Sequence, residues 1–316
     1  MANKNANLHN AKSAKNDEFY TQLSDIEKEL VYYKDHFKDK IVFCNCDDPE
    51  YSNFWKYFSL NFDHLHLKKL IATHYETDKQ SYKLEMYRDN AGVHTDIKTL
   101  QQNGDFRSPE SVELLKECDI VVTNPPFSLF REYIAQLIEY DKKFLVIGNL
   151  NAVKYKEVFP LLKENKIWMG ATSFTGGAAY FIGDQSLYDP DKMSNPKHAY
   201  IKDGKLYWRV NGVRWFTNLD HKKRHEEIIL CKSYNSQDYP SYDDYNAINV
   251  DNCKNIPMDY DGCMGVPISF MDKYCPEQFE IVGELNNGGD NEYDYAKPKI
   301  NKKQVYTRFL IKRKDS

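Results

Sequence analysis

The chain lacks most of what would take it out of a reducing, aqueous compartment. No apolar run approaches the ~18 residues of a membrane span. The first sixteen residues carry Lys4, Lys12 and Lys15, no acid and no apolar stretch, which argues against a secretory signal and reads as a flexible arm. Seven cysteines are present, none in a CxxC pair. Cys44-Asn45-Cys46 is too tight for an ordinary zinc pair, and no second ligand pair follows at zinc spacing. The expectation is reduced thiols in a cytoplasmic protein, with no metal and no membrane. Internal repeats and long low-complexity segments are also missing. So is any excess of positive charge: the net value is −4, which does not announce a nucleic-acid partner.

What is present is unevenly placed. His221-Lys222-Lys223-Arg224-His225 is a dense basic cluster, and Lys297 to Lys314 holds eight basic residues and no acidic one. Asp238 to Asp261 is acidic and rich in Tyr. Local basic patches bind phosphates even on an acidic protein, although the ordinary reading of each is a solvated surface. The 316 residues, 41% hydrophobic, support one large domain or a main domain with a smaller companion. Aromatic residues, including 24 Tyr, serve the core first and base stacking second.

Pattern reading places an amphipathic helix over Asp25 to Phe37 and an aromatic one over Asn53 to Leu60. Further helices are expected over Ser128 to Ile138 and Tyr155 to Asn165. Buried strands are expected at Ile41–Cys44, Lys69–Thr73, Asp119–Thr123 and Lys143–Gly148. This alternation predicts a Rossmann-like, doubly wound α/β sheet, with ligands at the carboxyl ends of its strands. Cys44–Asp48, Thr73–Glu76 and Asn124–Phe127 all follow predicted strands and are expected to converge. The pattern changes near residue 166, which suggests an N-terminal arm plus catalytic domain over 1–165 and a more irregular, partly β region over 166–316. In that second part, Leu206–Val210 and Val213–Thr217 flank Asn211-Gly212, a strong hairpin signal. Phe279–Val282 and Tyr306–Ile311 read as late strands.

The most informative segment is Asn124-Pro125-Pro126-Phe127. Two prolines between a strand and a helix hold the backbone in a fixed, non-helical path. An Asn amide and a backbone carbonyl then point together at one amino group, with an aromatic ring beside them. That suits chemistry on the exocyclic amine of a planar base.

Here the chain resembles the amino-methyltransferases that carry [DNS]PP[YFW]. It is most similar to the EcoRI-type adenine-specific DNA methyltransferases. The resemblance rests on Asp17–Gln22, Cys44–Pro49, Gly104–Ser108, Val121–Phe130, Tyr155–Phe159, Lys163–Trp168, Thr217–Asp220, Tyr245–Val250 and Met264–Ile268. It is weakest over Asp78–Leu100, Ala171–Val213 and Asn286–Gln304. Most such enzymes have a Gly-rich turn after the first strand. Here that turn is Cys-Asn-Cys-Asp-Asp-Pro, a departure the EcoRI type shares.

The resemblance implies S-adenosylmethionine as cofactor and double-stranded DNA as substrate, with the adenine flipped out of the duplex and methylated at N6. It implies a monomer and allows pairing with a cognate restriction endonuclease. Asn124, Pro125, Pro126 and Phe127 are then catalytic. Tyr20, Thr21, Cys44, Asp47, Glu76, Asp105 and Phe106 are the expected cofactor contacts: Asp47 near the methionine part, Glu76 at the ribose, Asp105 and Phe106 at the adenine. Phe174 is a candidate second aromatic against the base, against the ordinary expectation of a core residue. Arg209, Arg214, Lys222, Lys223 and Arg224 are the expected DNA contacts. Cytosine-N4 methylation, glutamine methylation and a catalytically silent DNA-binding protein of the same fold are the rival readings.

Overall fold

The computed structural model describes residues 20–46, 48–76, 79–174, 178–181, 199–202 and 205–314. The chain forms two compact units, Met1–Asn149 with Thr172–Leu219, and Leu150–Ala171 with Asp220–Ser316. The single boundary expected near residue 165 is thus replaced by three crossings. The reason lies in a late strand, Val213–Thr217, which returns to complete the first unit's sheet.

The first unit contains β1 (Tyr20–Thr21), β2 (Ile41–Cys44), β3 (Lys69–Thr73), β4 (Tyr82–Asp89), β5 (Gly92–Thr99), β6 (Ile120–Thr123) and β7 (Lys143–Asn149). Strand β8 (Trp168–Ser173) runs across the Ala171–Thr172 boundary, and β9 (Ala178–Phe181), β10 (Ala199–Lys202), β11 (Lys205–Val210) and β12 (Val213–Thr217) follow. An eight-stranded sheet runs in the order β5-β4-β3-β2-β6-β7-β12-β8. Its centre, β3-β2-β6-β7, is parallel. Strands β2 and β6 are buried along their whole length, as the unbroken apolar runs Ile-Val-Phe-Cys and Ile-Val-Val-Thr require of an interior parallel strand.

Helices α1 (Leu23–Leu30), α2 (Asn53–Leu60), α3 (Pro109–Glu117) and α4 (Phe130–Glu139) belong to this unit. The Ser52 hydroxyl accepts from the N–H groups of Phe54 and Trp55 and so starts α2. Ser108 caps α3, with Pro109 at its first turn. The helix expected over Tyr155 to Asn165 is shorter, α5 (Phe159–Lys163), because Pro160 must occupy a first turn. The core of this unit gathers Phe54, Phe58, Val122, Leu145, Ile147 and Trp215.

One expectation fails for a physical reason. The Asn211-Gly212 turn does not close a hairpin. Strand β11 pairs with β9 and β10 in a separate four-stranded sheet, whereas β12 pairs antiparallel with β7, Val213 against Asn149. Four of the five β12 residues are buried, including Trp215 and Phe216, and only an interior position covers both faces of such a strand. Tyr82–Thr99, where no strand was expected, forms the long β4–β5 hairpin. Most of its residues are half-exposed or exposed, whereas Glu85 is buried and held by the ammonium groups of Lys69, Lys83 and Lys98. Burial raises the Glu85 pKa, but the three lysines outweigh it and bring the carboxyl down to about 2.

The second unit holds a sheet of β13 (Ile248–Asn249), β14 (Met264–Pro267), β15 (Phe279–Leu285), β16 (Asp294–Ala296) and β19 (Arg308–Arg313), with β17 (Lys299–Ile300) and β18 (Lys303–Gln304) as a small separate ribbon. The order is β13-β14-β19-β15-β16, so the last strand in sequence lies at the centre. No helix among the described residues is long and apolar enough to cross a membrane.

Candidate active site

The chain leaves β2 to form β3 on one side and later returns to form β6 on the other. The reversal makes the carboxyl ends of β2 and β6 the topological switch point, where open α/β sheets open a crevice. Three segments meet there.

The first is Asn124-Pro125-Pro126-Phe127, directly after β6. Asn124 is only 8% exposed. Pro126 has extended backbone, and its carbonyl accepts from the Leu129 N–H at 2.9 Å. That bond starts the short turn Phe127–Leu129 that leads into α4. Phe127 is half-buried and packs against the core, leaving part of its ring accessible.

The second is the glycine-free turn after β2. Cys44 ends the strand with its side chain in the core, so the cofactor role expected of it does not rest on an exposed thiol. Asn45 is buried, and its Oδ1 accepts from the Tyr133 hydroxyl on α4. The Cys46 N–H donates to Thr123 Oγ1 at 3.2 Å, which ties this turn to the end of β6. Asp48 accepts from the Tyr82 hydroxyl at 3.1 Å and lies 3.4 Å from His74 Nε2. The His74 and Tyr82 rings stack at 5.0 Å. Asp47 lies outside the described residues.

The third joins the end of β3 to the loop before α3. The Glu76 N–H donates to the Asn103 carbonyl at 2.9 Å. Gly104 has φ +76°, and a Cβ there would collide with the His74 carbonyl, so only glycine allows this approach. The Asp105 carboxylate accepts from Arg107 through its backbone N–H and its guanidinium, which also reaches Glu132. Arg107 holds the Asp105 carboxyl below its usual range. Phe106 is buried edge-on against Tyr133, with ring centroids 5.0 Å apart.

Tyr20 and Thr21 form β1, paired with β9. The Thr21 carbonyl accepts from Asn53 Nδ2 at 2.7 Å, at the start of α2. The Thr21 and Thr73 hydroxyls and His74 Nδ1 are buried with no hydrogen-bond partner among the described residues. Such atoms suit a polar ligand that would satisfy them.

The remaining expectations separate. Phe174, expected against the base, instead stacks on Trp215 at 5.6 Å inside the core. Arg209 lies on β11 opposite Ala179. Arg214 donates to the Val213 carbonyl on its own strand. In the second unit, Lys222 is exposed and Lys223 pairs with Glu226 at 3.4 Å. Arg224 is turned inward: its guanidinium lies 3.7 Å from the Trp168 ring centroid and donates to Asn165 Oδ1. His225 sits between Asp220 and Glu277, both at 2.9 Å. A groove of about 660 Å³ runs past Trp168, Arg224, Ile228, Lys254, Met271 and Lys273. No cluster of metal-ligating side chains occurs among the described residues.

Sequence reading gave no individual role to Asn45, His74, Tyr82 or Tyr133, although Asn45 and His74 lie in segments expected to converge. Tyr133 lies on the apolar face of α4 with Phe130, Ile134 and Leu137, so the pattern shows its ring and hides its hydroxyl. Tyr82 opens the alternating run Tyr82-Lys83-Leu84-Glu85-Met86, which was not read as a strand.

A mixed sheet with a parallel centre and a proline-stiffened Asn-Pro-Pro-Phe turn at its switch point defines an α/β enzyme of the methyltransferase class. The chain belongs to the EcoRI family of adenine-specific methyltransferases, whose pattern matches residues 7–314. It is 49% identical to the type II methyltransferase M.EcoRI of Escherichia coli, over 97% of this chain and 96% of that one. It is 42% identical to M.MgeORF184P of Mycoplasma genitalium and 41% identical to M.MpnI of Mycoplasma pneumoniae, each over 89% of this chain and 86% of the relative. No solved structure matches the chain.

Proposed function

We propose that this adenine-specific methyltransferase acts on N6 of an adenine flipped out of double-stranded DNA, at a specific sequence, with S-adenosylmethionine as donor. The observation that carries the reading is the buried Asn124 amide and the proline-fixed turn at the switch point, beside the turn after β2. When bound, the cofactor supplies an electrophilic methyl group on its sulfonium. Thr21, Asp47, Glu76, Asp105 and Phe106, with the turn after Cys44, are the residues that would hold it. The buried hydroxyls of Thr21 and Thr73 and the close approach at Gly104 fit a polar nucleoside with an amino-acid tail.

The adenine amine is a poor nucleophile because its lone pair is delocalised into the ring. Asn124 Oδ1 and the Pro125 carbonyl accept its two hydrogens and draw the nitrogen toward a tetrahedral shape. Both acceptors are fixed before reaction, so they stabilise the positive charge that grows on nitrogen. The amine then releases one proton to solvent, since Asn124 is no base. Phe127 stacks on the extruded base and offsets part of the flipping cost of ~a few kcal/mol.

The second unit supplies the DNA-facing side of this reading. Lys222 and Lys223 point outward and suit phosphates, and binding through them weakens as salt rises. Arg224, stacked on Trp168, braces the segment that presents them. The monomer methylates one strand at a time and protects the site against an endonuclease of the same specificity.

Labelled methyl transfer to unmethylated DNA, followed by nucleoside analysis, tests the proposal. N6-methyladenine is the expected product. Label in N4-methylcytosine, or no label in DNA from a protein that binds the cofactor, overturns it.

A further inference from the structure

The turn after β2 does without the glycines that let a backbone approach a cofactor, so something else must hold its path. The buried Asn45 amide is fixed from two sides. Its Oδ1 accepts from the Tyr133 hydroxyl and from the Cys46 thiol, the latter at 3.5 Å. Tyr133 is fully buried on α4, six residues beyond Phe127, and its ring meets the edge of Phe106. One side chain therefore touches the turn after β2 and the Gly104–Arg107 loop, and rides on the helix that follows the catalytic turn. Burial pushes the phenol well above its ordinary pKa, so the hydroxyl remains a donor throughout the working range.

We infer that Tyr133 is a positioning residue: through its hydrogen bond to Asn45 and its contact with Phe106, it sets the cofactor-binding turn in place of a glycine-rich backbone. The inference rests on the proposed cofactor crevice. The amine acceptors, Asn124 and Pro125, are held separately by the prolines and by β6. Losing the Tyr133 hydroxyl therefore loosens cofactor binding and leaves the methyl-transfer step intact.

The test uses the full chain, S-adenosylmethionine and a DNA duplex carrying the recognised site. Cofactor Kd, DNA Kd and kcat at saturating cofactor are compared for the wild type, Tyr133→Phe, Asn45→Ala and the double variant. Tyr133→Phe keeps the ring against Phe106 and removes one hydrogen bond, whose usual net worth corresponds to about a three- to tenfold weaker cofactor Kd. DNA Kd and kcat stay within about twofold of wild type on the same reasoning. The double variant binds cofactor no more weakly than Asn45→Ala alone, because Asn45→Ala already breaks the bond that Tyr133→Phe removes. An unchanged cofactor Kd in Tyr133→Phe overturns the inference. So does an equal loss in cofactor and DNA binding, or losses that add in the double variant. If Asn45→Ala does not fold, the split between cofactor Kd and kcat in Tyr133→Phe still decides. A wild type that binds no cofactor defeats the crevice reading itself, which is a separate outcome.

Discussion

The turns after β2 and β6 lie side by side and each begins with a buried asparagine, yet they are held by different means. After Asn124 the path is written into the covalent chain by two prolines. After Asn45 it is enforced by partners distant in sequence: Thr123, Tyr133, Tyr82 and His74. The first kind of turn keeps its shape when its neighbours change. The second depends on the whole sheet being assembled.

The sharpest break of this comparison is Asn124→Ala, placed against the same substitution at Asn45. Losing a preorganised electrostatic partner in the transition state costs about 10²–10³ in kcat. Thermal unfolding should stay unchanged, since the prolines still fix the turn. A kcat within tenfold of wild type removes Asn124 from its role.

A control in the second unit separates stability from both turns. Burial raises the Glu284 carboxyl from 4.5 to about 7. Between those values the folded chain keeps a proton that the unfolded chain has lost. This contribution is fully present below the unfolded value and is lost as pH rises through the folded one. In Glu284→Gln the decline in unfolding free energy from about pH 5 to about pH 8 should shrink by on the order of 2–3 kcal/mol, with methyl transfer unaltered. Parallel pH profiles for variant and wild type argue against the buried acid.

Gly104→Ala probes the third segment. The added Cβ meets the His74 carbonyl at a positive φ, which costs about 1–3 kcal/mol and displaces the loop from β3. Denaturant unfolding should register the loss, and cofactor affinity should fall with it. Full retention of both shows that the close approach is not needed.

The smallest expected effect is Ser52→Ala, which removes the cap of the helix following the Asn45 turn. It should cost about 1 kcal/mol in unfolding free energy and leave kcat unchanged. A change in kcat would mean that the catalytic turn is not as self-contained as its prolines suggest.

The same contrast explains what was readable beforehand. Strands β2 and β3 and helix α2 were legible to the residue, because unbroken apolar runs and a serine cap are local signals. The position of Asn124–Phe127, directly after β6, was legible for the same reason. The Asn211-Gly212 signal was local as well, but it lost to a tertiary demand, the burial of Trp215 and Phe216 in the central sheet. The β4–β5 hairpin was passed over although Tyr82, Leu84 and Met86 alternate with the charged Lys83 and Glu85, because Glu85 is a charge on a buried position. Tyr133 was hidden because a core pattern reports the ring and says nothing of the hydroxyl. Phe174 was a case where the ordinary core expectation describes its placement.

The position of β19 sets a timetable for biosynthesis. Arg308–Arg313 is the last strand of the chain and the middle strand of its sheet, flanked by β14 and β15. Those two strands have no hydrogen-bonded strand between them until it arrives. During translation the second unit therefore stays open until β19 emerges. The first unit waits only for β12. A nascent chain would complete its catalytic sheet about a hundred residues before the other unit closes, and a ribosome stalled in that interval would display methyl-transfer machinery ahead of a finished second unit.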